Sequence, residues 1–125
     1  MTRITPVYAA GLAVLFLVLS LRVILARRAK NVGFGSAGDP DLERRVRVHG
    51  NFAEYTPLAL LLIWMAETRG TATVLVHALC VCLFVGRLAH ALGVSRQRTD
   101  ELGRILGMAG SQTAIFGAAV MIVLT

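Results

Sequence analysis

Charge is scarce in this chain, and acid scarcer than base. Charged residues make up 16% of its 125 positions, with seven Asp and Glu against thirteen Lys and Arg. A net charge of +6 raises nucleic acid as a partner, but the basic residues fall between apolar runs and form no separable basic module, so that class is set aside. The same distribution satisfies the positive-inside rule of membrane proteins. Cysteine is limited to Cys80 and Cys82. Two positions apart on a helix they point to different faces, which excludes a disulfide between them and a metal site built on them. Internal repeats and low-complexity tracts are absent, and the first apolar run contains no acid. That last absence weighs against a small multidrug transporter, because such exporters resemble one another in carrying their essential membrane carboxylate in the first helix.

What is abundant is apolar side chain. At 56% hydrophobic residues and a mean hydropathy of +0.69, the chain is too apolar for a soluble domain. The first run, Pro6 to about Ala26, is long enough to cross a bilayer core of roughly 30 Å. It exceeds the roughly 7–15 residues of a signal-peptide apolar region and ends in Arg27-Arg28, so it reads as a retained helix. Gly33, Gly35, Gly38 and Pro40 then mark a loop. Asp39-Pro40-Asp41 is a helix start, with Asp39 as N-cap and Pro40 at the first helical position. The reading is an all-α membrane protein, one domain over 1–125, with a four-helix bundle at about 6–26, 40–67, 71–92 and 102–124. Pro57 is expected to kink the second helix, and Gly93 to cap the third. The polar segment SRQRTDELGR links the third helix to the fourth.

Lys and Arg divide unevenly between the two ends. Eleven lie in or beside the first and third loops, whereas the other end holds only Arg3 and Arg69. This bias puts those loops in the cytoplasm and both termini on the far side.

The most unusual chemistry lies in ERRVRVHGNFAEYTP, residues 43–57. Glu43, Arg47, Asn51 and Glu54 recur at helical spacing and share one face, which continues into apolar residues suited to hydrocarbon. Ionisable groups at membrane depth are costly and mark sites facing the protein interior. Arg binds a carboxylate through two parallel hydrogen bonds, Glu pairs an ammonium, and Asn both donates and accepts. The set suits a small zwitterionic or anionic ligand. On spacing alone, a self-neutralising network of Glu43, Arg47 and Glu54 accounts for it equally well.

The segment RVRVHGNFAEYTPLALLL, with Glu43 before it, resembles the second-helix signature of the MAPEG family, membrane-associated proteins of eicosanoid and glutathione metabolism. SLRVILARRAKNV resembles the leukotriene synthase branch around its paired arginines, here Arg27 and Arg28. Gly86-Arg87, His90 and Arg104 match the family in position and order. The resemblance implies a homotrimer that binds glutathione as co-substrate between neighbouring protomers. It implies that Arg28, Arg47, Asn51, Glu54 and His90 hold the tripeptide and that Arg104 faces its sulfur. It also implies transferase- or peroxidase-like chemistry on lipophilic small molecules in a bacterial inner membrane. Gly50 stands where some relatives have a second Arg, Val94 where a Tyr is expected, and Ile105 and Met108 where prostaglandin synthases carry hydroxyls. These departures point away from eicosanoid synthesis and towards the bacterial branch. The alternative function is a non-catalytic membrane protein of this kind that binds another ligand.

Among smaller signals, His49 reads as an interface-level polar residue and His77 as a packing histidine deep in the third helix. Tyr55 and Trp64 read as packing or interface aromatics. Gly103 and Gly107, followed by Gly110, Ser111 and Gly117, predict close packing of the fourth helix.

Overall fold

The computed structural model describes residues 3–95 and 101–125; half of the linker expected before the fourth helix, 96–100, lies outside them. The described residues form four helices: α1 (Thr5–Lys30), α2 (Pro40–Thr68), α3 (Thr73–Ser95) and α4 (Glu101–Leu124). Three stretches, Thr5–Lys30, Thr73–Val94 and Glu101–Leu124, are long and apolar enough to cross a membrane. The polar face of α2 dilutes its hydropathy, yet α2 runs antiparallel to α1 and covers the same span, because the two are clasped at both ends.

At one end the Glu67 carboxylate accepts from the backbone N–H groups of Arg3, Ile4 and Thr5 at 2.8, 2.9 and 3.0 Å. An acid from α2 thus satisfies three donors that the start of α1 leaves without intrahelical partners. At the other end Lys30 pairs with Asp39. Asp39 also accepts from Leu42 N at 2.9 Å, the N-cap that the Asp-Pro-Asp spacing predicts. The Lys30 ammonium and the Leu42 amide together hold the Asp39 carboxyl below its usual range.

The seams between helices differ in kind. Helix α1 buries Thr5, Leu12, Leu19 and Ala26, one residue per seven, so only a narrow strip meets the bundle. It packs on α2 and α3 and makes no contact with α4 among the described residues. Helix α2 buries a fuller stripe, including Val48, Phe52, Ala59 and Ile63, and touches all three other helices.

The α3–α4 seam is the most extensive and is made of backbone. A Cβ on Gly107 would lie 2.5 Å from His90 Cβ and 2.7 Å from the Gly86 carbonyl oxygen. One on Gly93 would lie 2.9 Å from the backbone of Gly103 and Arg104. Gly93 therefore does not end α3, which continues to Ser95; it lets α4 approach. The local glycine signal is the same for a cap and a packing site, and the neighbouring helix decides between them. Cys80 is buried in the core and Cys82 turns towards α4, donating to the Gly110 carbonyl at 3.3 Å.

His77 is exposed and sits about one turn into α3, not deep in it. Its Nδ1 lies 3.2 Å from the Tyr8 hydroxyl. His49 stacks on Phe16 with ring centroids 4.9 Å apart.

Candidate functional site

The polar face of α2 opens onto a cavity of about 710 Å³ bounded by α2, α3 and α4, within the size range of small-molecule sites. Glu43, Arg47, Asn51 and Glu54 line it from α2, His90 and Val94 from α3, and Arg104, Ile105, Met108 and Gln112 from α4. Five of the six residues expected at the site thus share one wall system: Arg47, Asn51, Glu54, His90 and Arg104. The sixth, Arg28, is exposed near the end of α1 and does not line the cavity.

No ion pair joins Glu43, Arg47 and Glu54 among the described residues. The self-neutralising network that spacing allows is therefore not formed. The neighbouring Arg44 and Arg45 turn instead to Asp41, at 3.9 and 3.0 Å. Glu54, exposed to the cavity side, lies close to halfway along α2 between the clasping residues Asp39 and Glu67. A carboxylate at that depth calls for a cationic or hydrogen-bonding partner.

Behind the cavity wall stands Arg87, 1% exposed. Its Nη1 donates to Asn51 Oδ1 at 2.7 Å, and its Nη2 donates to the Gly107 carbonyl at 3.2 Å. The guanidinium carbon also lies 6.0 Å from the Tyr55 ring centroid, at the outer range of a cation–π contact. Asn51 is fixed from two sides, since its Nδ2 lies 3.3 Å from Met108 Sδ. No carboxylate pairs with Arg87 among the described residues; an amide, a carbonyl and a ring take that place. Desolvating a cation on neutral dipoles alone is expensive, and it leaves a positive pole directly behind Asn51. Sequence reasoning named Arg87 only as part of a positional match. The signal that finds it is the general one: an ionisable residue inside an apolar run, here VGRLAH.

Only the Gly107 backbone, free of a side chain, lets that guanidinium reach the carbonyl of α4, so the packing seam and the site are one construction. Ser111 Oγ donates to the same carbonyl at 3.1 Å. On the α4 side Ile105, Met108 and Ala109 give the cavity an apolar lip. Arg104, half-exposed, pairs with Glu101 at 3.6 Å. The cavity therefore offers carboxylates, a guanidinium and an amide from α2, and a second guanidinium beside an apolar lip from α4.

Comparison with known proteins decides the family. The MAPEG family profile matches residues 5–124, nearly the whole chain. The chain belongs to the MAPEG family. A MAPEG chain of this length is also similar to the inner membrane protein YecN of Escherichia coli strain K12. The two are 34% identical over 90 residues, covering 72% of this chain and 69% of YecN. The protein of the same name in Escherichia coli O6:H1 matches to the same extent. This MAPEG member is an integral membrane protein with four helices, and its polar cavity opens among α2, α3 and α4.

Proposed function

We propose that this chain is a glutathione-binding protein of the bacterial inner membrane, transferase- or peroxidase-like towards lipophilic electrophiles, working as a homotrimer. Its charged end, where the α1–α2 loop lies, faces the cytoplasm under the positive-inside rule. The observation that carries the reading is the convergence of Arg47, Asn51, Glu54, His90 and Arg104 on one cavity that also has an apolar lip. Arg47 takes a carboxylate of the tripeptide and Glu54 its ammonium, while Asn51, held by Arg87 and Met108, fixes orientation. His90 supplies a further hydrogen bond. Arg104 stands at the α4 side of the cavity, where a guanidinium favours the thiolate over a thiol whose ordinary pKa is about 8.5. In a conjugate addition the thiol proton first leaves to solvent and the thiolate sulfur forms one bond to the electrophilic carbon of a guest lying against Ile105 and Met108; the guest's C=C π bond breaks, its electron pair moves towards the conjugated carbonyl, and the resulting carbanion takes a proton back from solvent. Glu54 at mid-depth needs a bound ligand or a neighbouring protomer to keep it out of hydrocarbon.

The pairing of Arg104 with Glu101 favours a second reading, in which the cavity binds an anionic ligand without turning it over. Thermal unfolding of the purified protein in detergent, titrated with glutathione, tests the first. A ligand that binds only the folded state stabilises by about 2.7 kcal/mol at a hundred times its dissociation constant. That shift should vanish in Arg47→Ala and Asn51→Ala. No shift at millimolar glutathione removes the glutathione reading. A shift with no conjugation of any electrophile tried moves the choice to the binding module.

A further inference from the structure

We propose that the loop joining α1 to α2 is an interfacial anchor: Arg28 takes the phosphate of an anionic phospholipid while Phe34 inserts beside the same headgroup. The inference is independent of the glutathione reading, because neither residue lines the cavity.

The first observation is continuity. Val14, Leu17, Val18, Leu21, Ile24 and Leu25 are all exposed on α1, and they form the face that a membrane must cover. The next position along that face is Arg28. It is exposed, and its guanidinium has no hydrogen bond or ion pair among the described residues. The cations beside it are taken. Arg27 Nη1 donates to the Gly35 carbonyl at 2.8 Å, and Lys30 pairs with Asp39. A lipid-facing stripe that ends in an unpaired guanidinium presents a phosphate ligand at headgroup level.

The second observation is Phe34, 96% exposed, more than any other large apolar residue described. It is held out by a built loop. Asn31, Gly35, Ala37 and Gly38 take left-handed backbone conformations. Asp39 N donates to the Ser36 carbonyl at 2.9 Å, and Arg27 grips Gly35, the residue after Phe34, and also Val32 at 3.4 Å.

The third observation is depth. The apolar run of α1 spans about 30 Å, the thickness of the hydrocarbon core, and each headgroup layer adds roughly 5–8 Å. Arg28 falls within the first turn past that run. The loop folds back onto Arg27, which donates to the Val32 and Gly35 carbonyls and so keeps Phe34 beside that end of α1. An apolar ring flanked by cations at the acyl–headgroup boundary is the chemistry of interfacial anchoring on anionic lipid.

The test uses the full chain in nanodiscs of phosphatidylcholine with or without phosphatidylglycerol. A Phe34→Trp substitution in a Trp64→Phe background gives a single reporter. Its emission should be blue-shifted and quenched by lipids brominated near the headgroup, and not by aqueous iodide. Iodide quenching would overturn the anchor. So would a reporter shielded from both quenchers, which would mean that another protein copy covers the loop. For Arg28, added phosphatidylglycerol should raise the melting temperature of the wild type and of Arg69→Gln, but not of Arg28→Gln, and inorganic phosphate should not substitute. Equal loss in both variants, or an equal shift with inorganic phosphate, would overturn the headgroup site. If Arg28→Gln kept the lipid shift and lost a glutathione-linked shift, the residue would belong to the thiol ligand instead. Failure of the glutathione reading leaves every lipid readout in place, so the two proposals fail separately.

Discussion

Replacing Gly107 by Ala adds a single methyl group, and its effect tests both the α3–α4 seam and the site built on it. In an exposed helix this change is favourable by about 1 kcal/mol, because Ala is the better helix former. Here the new Cβ would stand 2.5 Å from His90 Cβ, 2.6 Å from His90 N and 2.7 Å from the Gly86 carbonyl oxygen. All three are short of ordinary van der Waals contact, which begins near 3.4 Å. Two of the three are backbone atoms, so no rotamer change relieves them; the helices must part by about 1 Å, at an overpacking cost of about 1–3 kcal/mol. That movement also carries the Gly107 carbonyl beyond reach of Arg87, now at 3.2 Å, and a hydrogen bond to a charged group contributes about 1.5–3 kcal/mol. Set against the helix-propensity gain, the net loss is about 1.5–5 kcal/mol. Gly50→Ala is the matched control, since a Cβ there meets nothing within 4 Å, and it should stabilise by up to about 1 kcal/mol. Thermal and denaturant unfolding in one detergent, followed by circular dichroism, reads both. If Gly107→Ala proves as stable as Gly50→Ala, the helices do not approach as closely as described, and the placement of Arg87 falls with the seam.

Other changes probe the clasps and the buried cation. Glu67→Ala should free the N–H groups of Arg3, Ile4 and Thr5, and hydrogen exchange should accelerate in the first turn of α1 while the α3–α4 seam keeps its protection. Asp39→Asn should lower the melting temperature at neutral pH, because it removes the partner of Lys30. The carboxyl's folded pKa lies below its ordinary value of 3.8, so its contribution is complete above that pH and fades as pH falls below it. The melting gap between variant and wild type should therefore close in acid; a gap that persists there would assign the effect to packing. Arg87→Lys should not be conservative, because an ammonium cannot span Asn51 and the Gly107 carbonyl as the planar fork does. Loss of about 1.5–3 kcal/mol of stability, together with weaker ligand binding in titration calorimetry, is the expected result. Unchanged binding would separate Asn51 from Arg87.

The four helices were legible because length, apolar runs and the Asp39-Pro40 start are local signals. The shared face of Arg47, Asn51 and Glu54 was legible for the same reason, since helical spacing alone puts them together. What one helix cannot state is which residues meet it from elsewhere. Spacing left open whether Glu43, Arg47 and Glu54 neutralise one another, and their opening onto a common cavity is a consequence of where α3 and α4 stand. Gly93 carries the signal of a cap, and only the proximity of α4 makes it a packing residue. His77 reads as deep when depth is judged by an apolar run, whereas helix geometry turns it outward near the start of α3. Arg87 entered the sequence reading only by its position, because its acceptors come from two other helices and one is a main-chain oxygen that no side-chain pattern encodes.

The unequal seams also determine how the cavity accommodates guests of different size. The seam behind its α3–α4 wall is backbone against backbone, so those two helices cannot part, and only side chains on the wall such as Arg104, Met108 and Gln112 can move aside. Its opposite wall is α2, and α1 is fastened to α2 at both ends while making no contact with α4 among the described residues. A guest too bulky for the cavity therefore meets one wall fixed by backbone contact and one, α2, held to α3 and α4 by side chains such as Asn51, and α1 must move with α2. Shortening or stapling the α1–α2 hairpin should therefore narrow the range of guests that the cavity accepts without touching a single residue that lines it.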